Sequence, residues 1–503
     1  MPGFSHAEIK KIFQLKQAMS SLNLRFIFKV LGMINILESF FILAATFVSL
    51  HYHGNDLYPL LISFGMMFGF GLICFLIGRN ANKYYIGRRE GTIIVVFTWV
   101  LLSFFGMMPF YIGGYIDNVT DAFFETMSGF TTTGSTILTD IERLPNGILF
   151  WRSLTQWQGG IGIVVFTVAL VPIFGGTTSQ IFDAESSGIT HEHFLPRVTQ
   201  IAKRLFGIYL SLTLILTLLL WIGPMNLFDA VNHALTTVSS GGYSTKNDSI
   251  AYWDAPYIEY IICIFMCFSA TNFTLFYFTI KGRIDKLLKD EELRWFYAFV
   301  GIATIGVTIW LMFQHHESNL EEAFRKSFFQ VMSLITTTGY LTSDYSVWGS
   351  FFTIIALTLM TVCGCAGSTS GGLKIGRFVI LIKNTLNEFK KQTHPNAILP
   401  VRVSGQVIPS DIVHRVLTFT FIYVALIAVG CAVLLISGLG FDEAIGSAVS
   451  ATGNVGISLG KYTQGNFADF PVISKWTLSF LMLVGRLEIF TVLTLLIPNF
   501  WKQ

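Results

Sequence analysis

Leu334-Ile-Thr-Thr-Thr-Gly-Tyr340 is one of four stretches in which a short apolar run ends in a small turn rich in hydroxyls or glycine. The others are Ser128-Gly-Phe-Thr-Thr-Thr-Gly-Ser135, Thr237-Val-Ser-Ser-Gly-Gly-Tyr243 and Ala451-Thr-Gly-Asn-Val-Gly-Ile457. Aligned on Gly134, Gly242, Gly339 and Gly456, they recur roughly every hundred residues, the fixed-period self-similarity of an array. Four re-entrant turns meeting on one axis would present a ring of backbone carbonyls, the chemistry by which a pore strips water from a monovalent cation.

Composition agrees with a membrane setting. Apolar residues make up 52% of the chain and charged ones only 13%, which excludes a disordered chain and argues against a soluble enzyme. Runs long enough to cross about 30 Å of hydrocarbon are expected near 26–50, 58–78, 92–113, 148–174, 205–223, 256–280, 296–313, 350–382, 413–437 and 472–499. Basic residues crowd alternate connections: Arg79, Lys83, Arg88 and Arg89, then Arg197, Lys203 and Arg204. Lys281, Arg283, Lys286 and Lys289 follow, then Lys383, Lys390, Lys391 and Arg402. The intervening loops are acidic, as in Asp117–Asp121 and Glu317–Glu322. The positive-inside rule then puts both termini and the basic loops in the cytoplasm. The net charge of +3 is explained by this bias, so nucleic acid is not invoked. Residues 1–24, with Lys10, Lys11 and Lys16, read as a cytoplasmic amphipathic helix and not a signal peptide. The cysteines suggest no disulfide framework.

After two leading spans, one unit recurs four times: a span, a short helix, a turn and a second span. About ten residues from Asp121 to Phe130 reach only halfway through a bilayer. Such a segment stops inside the membrane, where irregular backbone survives only if buried in protein or lining water. Ala122, Ala230, Ser327 and Ala444 hold equivalent positions, preceded by Asp121, Asp229, Lys326 and Glu443. Acids there either stabilise helix N-termini or form a cation-attracting vestibule.

Each turn supplies carbonyls at the negative end of a helix dipole. Those of Thr132, Thr133 and Gly134; Ser240, Gly241 and Gly242; Thr337, Thr338 and Gly339; and Asn454, Val455 and Gly456 are the candidate cation ligands. Glycine permits positive φ and close approach; the competing reading is tight helix packing through small residues.

The span 350–382 is interrupted by Cys363-Gly-Cys-Ala-Gly-Ser-Thr-Ser-Gly-Gly-Leu-Lys374, a composition that disfavours a helix interior. A phosphate-binding loop would need Gly-Lys-Ser/Thr after a strand, but Leu373 separates Gly372 from Lys374 and no strand is expected before it. Cys363 and Cys365 as metal ligands would lack companions. The remaining reading is an unwound, movable segment beneath the filter, formed by Gly364, Gly367, Ser368, Thr369, Ser370, Gly371 and Gly372, with Lys374 snorkelling to the cytoplasmic face. Arg486 lies in the last span, where an unpaired cation is expensive. It is read either as a partner for another helix or as a positive charge below the filter; Glu488, two residues on, would lie on another helix face. His191-Glu-His193 reads as surface, and Lys286–Arg294, Lys390, Lys391 and Arg402 as either a solvated cytoplasmic face or a contact for a regulatory partner.

With these motifs in view, nearly the whole chain resembles the Trk/Ktr/HKT superfamily of potassium transporters, most closely its TrkH branch. The resemblance implies an all-α integral membrane protein with four membrane–pore-helix–membrane repeats around one pseudo-four-fold pore, plus two N-terminal spans. It implies boundaries at 1–24, 25–90, 91–180, 181–290, 291–400 and 401–503, the broken segment as an intramembrane gate, and Arg486 as an electrostatic opponent of cations. It also implies homodimerisation, a cytosolic nucleotide-binding subunit of the TrkA type, and a bacterial inner-membrane location. In that superfamily, glycine at all four filter positions accompanies potassium, and serine in the first loop accompanies sodium, so Gly134 points to potassium as the transported ion, with no organic cofactor. Ser-Ser-Gly-Gly and Asn-Val-Gly depart from the Thr-rich pattern and make the ring asymmetric. An ion-coupled secondary transporter would usually show an inverted repeat, and a membrane enzyme would need a convergent catalytic set; the sequence displays neither.

Overall fold

The computed structural model describes residues 22–81, 88–174, 198–314 and 319–502. The readings of the N-terminal basic stretch, Lys83, Arg197, Glu317 and His191-Glu-His193 lie outside the described residues.

Leu24–His51 and Leu57–Ile77 form an antiparallel helical pair. Asp56, between them, accepts a bond of 2.8 Å from the Ile148 N–H and so fixes the pair to the start of the helix Asn146–Phe174. Four units follow. Their short helices are Val119–Phe130, Leu227–Val238, Leu320–Ile335 and Phe441–Gly453. Each packs between the helices that precede and follow it: Arg88–Gly106 and Asn146–Phe174 for the first, Val198–Ile222 and Pro256–Ala270 for the second. Glu291–Phe313 and Gly349–Thr361 flank the third, and Ser410–Ile436 and Val472–Arg486 the fourth.

Each short helix also packs against the second span of the unit before it. The second rests on Asn146–Phe174, the third on Pro256–Ala270, the fourth on Gly349–Thr361, and the first on Val472–Arg486 of the last unit. That cycle closes a pseudo-four-fold ring. At the seam between last and first units, Lys475 Nζ lies 2.7 Å from Asp121 Oδ1, Trp476 stacks on Phe123, and Thr136 exchanges backbone bonds with Gly465 and Phe467.

Six helices among the described residues are long and apolar enough to cross a membrane, close to the expected spans. Two expected continuous spans are instead broken. The stretch 256–280 bends by 98° between Pro256–Ala270 and Phe273–Ile280, and 472–499 bends by 118° between Val472–Arg486 and Phe490–Leu496. The second break overturns the placement of Glu488 on the helix of Arg486. The helix ends at Arg486, and Glu488 and Ile489 take φ values of 60° and 41°. Positive φ is uncommon for a β-branched residue; here the Ile489 N–H bonds to the Val484 carbonyl at 3.0 Å and Glu488 pairs with Arg377. Apolar composition cannot report such a reversal, because both arms stay apolar. The cytoplasmic-type loop is also more knitted than a free basic face. A hairpin pairs Arg402–Val403 with Gln406–Val407, and Glu291 binds Lys383 and the Ser404 N–H.

A buried ion pair inside the first unit also reaches the second. Arg152 Nε lies 2.7 Å from Glu125 Oε1, both side chains at most 3% exposed, and its Nη1 donates to the Ser244 carbonyl. Breaking a buried pair leaves one uncompensated charge, at a cost of about 3–5 kcal/mol. Arg152→Met is therefore expected to lower the melting temperature of detergent-solubilised protein strongly, whereas Arg143→Met, whose side chain is 87% exposed, changes it little.

Candidate ion-conduction site

The starts of the short helices are capped by residues that the acid pattern alone does not reveal. Asn118, Asn226 and Asn319 each accept a backbone N–H from the first turn, and Gly440 precedes the fourth helix without a side-chain cap. The acids lie within the first turn and are engaged: Asp121 with Lys475, Asp229 with Asn226 and Thr245. In the third unit Lys326 is not at the start. That helix begins earlier, at Leu320, with Glu321 and Glu322 in its first turn, and Lys326 pairs with Glu322 one turn back at 2.8 Å.

The opposite ends share one geometry. Thr133, Gly241, Thr338 and Val455 donate their N–H to the carbonyl five residues back, at 2.8, 2.8, 3.0 and 2.9 Å. The residue before each bonds three residues back. This pair of bonds is a Schellman termination, in which the residue after the helix takes a left-handed conformation. Thr132, Ser240, Thr337 and Asn454 do so, with φ of 52°, 57°, 58° and 56°. Two residues on, Gly134, Gly242, Gly339 and Gly456 are positive again, at 90°, 77°, 79° and 96°. The alternation repeats four times.

The glycines define a ring. A Cβ on Gly134 would collide with the Gly241 carbonyl oxygen, one on Gly242 with that of Thr338, one on Gly339 with that of Val455, and one on Gly456 with that of Thr133. Each loop thus abuts the next, and the fourth returns to the first. No hydrogen bond among the described residues takes the carbonyls of Thr132, Thr133, Ser240, Thr337, Thr338, Asn454 or Val455. Unclaimed carbonyls at a common centre are ready oxygen ligands. Gly241 differs: its carbonyl accepts from Gln156 Nε2 at 2.7 Å, while Gln156 Oε1 accepts the Tyr243 N–H.

Gln156, Arg152 and Glu125 support the ring without figuring among the expected site residues. Their signal was available, since Arg152 and Gln156 are polar residues four apart in an apolar span. The loops differ in side-chain support. Thr131–Thr133 and Thr336–Thr338 each join hydroxyls at 2.8 Å, whereas Asn454 Nδ2 donates to Thr133 Oγ1 and the Met482 carbonyl.

The glycine-rich segment lies against this ring. The helix Gly349–Thr361 ends, Val362–Cys363 pairs in parallel with Leu373–Lys374, and a new helix starts at Ile375. The short strand was not expected, and it clips the base of the loop. Thr369 Oγ1 is 2.9 Å from Ser240 Oγ, and the Gly371 N–H donates to Thr337 Oγ1 at 2.9 Å. A Cβ on Gly371 would collide with the Gly453 carbonyl and press on Asn454. The loop therefore touches the left-handed residue of three filter turns. Gly364, Gly367, Ser368, Ser370 and Gly372 shape it through local bonds such as Ser368 Oγ to the Cys365 carbonyl.

Lys374 does not snorkel: it is 7% exposed, and its Nζ folds back onto the Ser370 carbonyl. Arg486 reaches two backbone carbonyls. Its Nη1 donates to the Thr369 carbonyl at 2.8 Å, and Nη2 to the Gly159 carbonyl at 2.6 Å. The guanidinium bridges the loop to the first unit's second helix, next to the filter.

Comparison with known proteins agrees. The model of the TrkH family, described as a cation transport protein, matches residues 66–503. The Trk system potassium uptake protein TrkH of Vibrio parahaemolyticus is 37% identical over 95% of this chain and 99% of its own length. TrkH of Escherichia coli K12 is 35% identical over 96% of this chain and 100% of its own. A crystal structure of the Vibrio parahaemolyticus potassium transporter TrkH superposes with a TM-score of 0.86 at 34% identity, over 95% of this chain and 100% of that one.

Gly339→Ala places a methyl group against the Val455 carbonyl at φ 79°. An alanine in left-handed conformation costs about 1–2 kcal/mol before any collision. Potassium flux into proteoliposomes is expected to fall by about tenfold or more in this variant, with protein yield largely retained.

Proposed function

The chain belongs to the TrkH family of cation transport proteins, and on that premise we propose that it takes up potassium across the inner membrane through the ring of filter carbonyls. The closed cycle of glycine-to-carbonyl contacts around Gly134, Gly242, Gly339 and Gly456 carries this reading. A potassium ion sheds water into oxygens of residues 132–134, 240–242, 337–339 and 454–456. The four short-helix C-termini point their negative ends at the same centre, which favours a cation without a formal charge in the membrane. The chain is divided as a two-span extension over 25–90 and four pore units over 91–180, 181–290, 291–400 and 401–503, with cytoplasmic termini.

The segment 364–372 acts as the gate. In the arrangement described it is held under the filter by Ser240, Thr337 and Arg486. Opening requires these bonds to break, and the flanking helix Ile375–Thr393 leads from the loop to the basic cytoplasmic surface where a nucleotide-binding subunit of the TrkA type would pull. Two such chains form the working unit. Arg486 adds a positive charge beside the path, and a unit charge about 6 Å from a cation at an effective dielectric of about 20 opposes it by about 3 kcal/mol.

Expression in a potassium-uptake-deficient bacterium is expected to restore growth on low potassium, more strongly with the regulatory subunit present. No growth with either combination would sink the potassium reading. In liposomes, shortening 364–372 should raise basal flux, and Arg486→Ala should raise it by about tenfold; unchanged flux in both variants would remove the gate from this segment. Flux that stops when protons and sodium are clamped would favour a coupled transporter.

A further inference from the structure

Glu291 and Glu292 open the helix Glu291–Phe313, in a stretch that the sequence presents as a solvated or partner-binding face. Their carboxylates turn in different directions. Glu291 pairs with Lys383 and accepts the Ser404 N–H at 2.7 Å, so it serves the cytoplasmic hairpin and the helix beside it. Glu292 reaches the glycine-rich segment instead. Its Oε1 accepts the Ala366 N–H at 2.7 Å and the Gly376 N–H at 2.9 Å.

Those two donors bracket the loop. Ala366 lies near its start, and Gly376 sits in the first turn of the helix that follows it, Ile375–Thr393. One oxygen therefore staples the entry of the loop to its exit. N–H groups in the first turn of a helix have no acceptor within the helix, so the Gly376 N–H takes one from outside. Close approach is built into the sequence here, because a Cβ on Gly376 would lie 2.8 Å from Glu292 Oε1. The loop's other end meets the filter turns through neutral groups, Thr369 with Ser240 and Gly371 with Thr337. Hydrogen bonds to a carboxylate are about twice as strong as such neutral ones. Both also end on one side chain, so a single rotation of Glu292 releases the two together.

We propose that Glu292 is the latch of the gate, a positioning residue that holds the base of the segment 364–372 closed. The inference rests on the conduction and gating reading above. Glu292 is not a cation ligand; it acts through the backbone of Ala366 and Gly376. While both bonds stand, the loop keeps the shape in which Thr369 and Gly371 reach the filter turns. When both break, the loop loses its tie to the first helix of the third unit and is free to leave the filter.

The test is potassium flux in proteoliposomes of this chain alone, read together with alkylation of the buried Cys365 by a water-soluble maleimide and located by peptide mass spectrometry. Glu292→Ala removes both bonds and should raise basal flux by about tenfold, the equilibrium worth of one hydrogen bond to a charged group, and speed Cys365 labelling by a similar factor. Glu292→Gln keeps an oxygen acceptor without the charge and should give a smaller increase in both. Gly376→Ala displaces the carboxylate from the other side and should open the gate with Glu292 still present. Glu291→Ala, whose partners lie outside the loop, should leave both readouts at parent values. A Glu292 that only stabilised the fold would lower flux without faster labelling, and that result would overturn the latch. So would unchanged readouts in Glu292→Ala and Gly376→Ala, or an equal rise in Glu291→Ala. If Glu292→Ala does not assemble, Glu292→Gln and Gly376→Ala decide. A parent chain that carries no potassium would overturn the conduction reading instead, and Cys365 labelling alone would then decide the latch.

Discussion

A backbone carbonyl with no donor is expensive inside a membrane, and this protein gathers at least seven of them at one place. They persist because the chain returns to the same centre four times, so each turn is buried against its neighbours and not against lipid. A cation is the natural partner for oxygens so arranged, because it supplies the positive charge that missing N–H donors do not. The short helices deliver these turns to a common centre, and their Schellman ends use up carbonyls that would otherwise join the unclaimed ones there.

The ring is held by fastenings that differ from quadrant to quadrant. Glu259 with Arg325 links the second and third units and Asp121 with Lys475 the fourth and first, while Arg152, paired with Glu125 inside the first unit, reaches the second through the Ser244 carbonyl. Buried ion pairs add little net stability compared with well-packed apolar groups, but they punish misregistration severely. Such pairs suit a structure whose pseudo-equivalent helices would otherwise be free to pack in more than one order.

Breaks in helices cluster near the filter's inner side. The chain unwinds at Thr271-Asn272, at 362–374 and at 487–489, and the exposed backbone groups find one another there: the Cys365 N–H bonds to the Ala270 carbonyl, the Phe273 N–H to that of Gly367, and Arg486 to that of Thr369. Irregular backbone at this depth is tolerable only where it is enclosed by protein or water. Contacts made by short polar side chains and N–H groups are individually modest, so a segment held by a few of them suits movement better than a packed helix would.

Much of this was legible in the sequence. Four aligned glycines, short apolar runs and a Ser/Gly-rich interruption specify where helices must stop and where carbonyls are released, since only glycine accepts the second positive φ of each turn without collision. Hidden from it were the breaks after Ala270 and Arg486 and the inward fold of Lys374. Periodicity reports whether a residue is apolar, and each of these depends on which distant segment lies beside it. The sequence by itself determined the repeat, the turn chemistry and the membrane setting, because those follow from local conformational preference and transfer free energy. Only the tertiary structure decided which carbonyl meets which glycine and what Arg486 holds, because those are set by packing between units roughly a hundred residues apart.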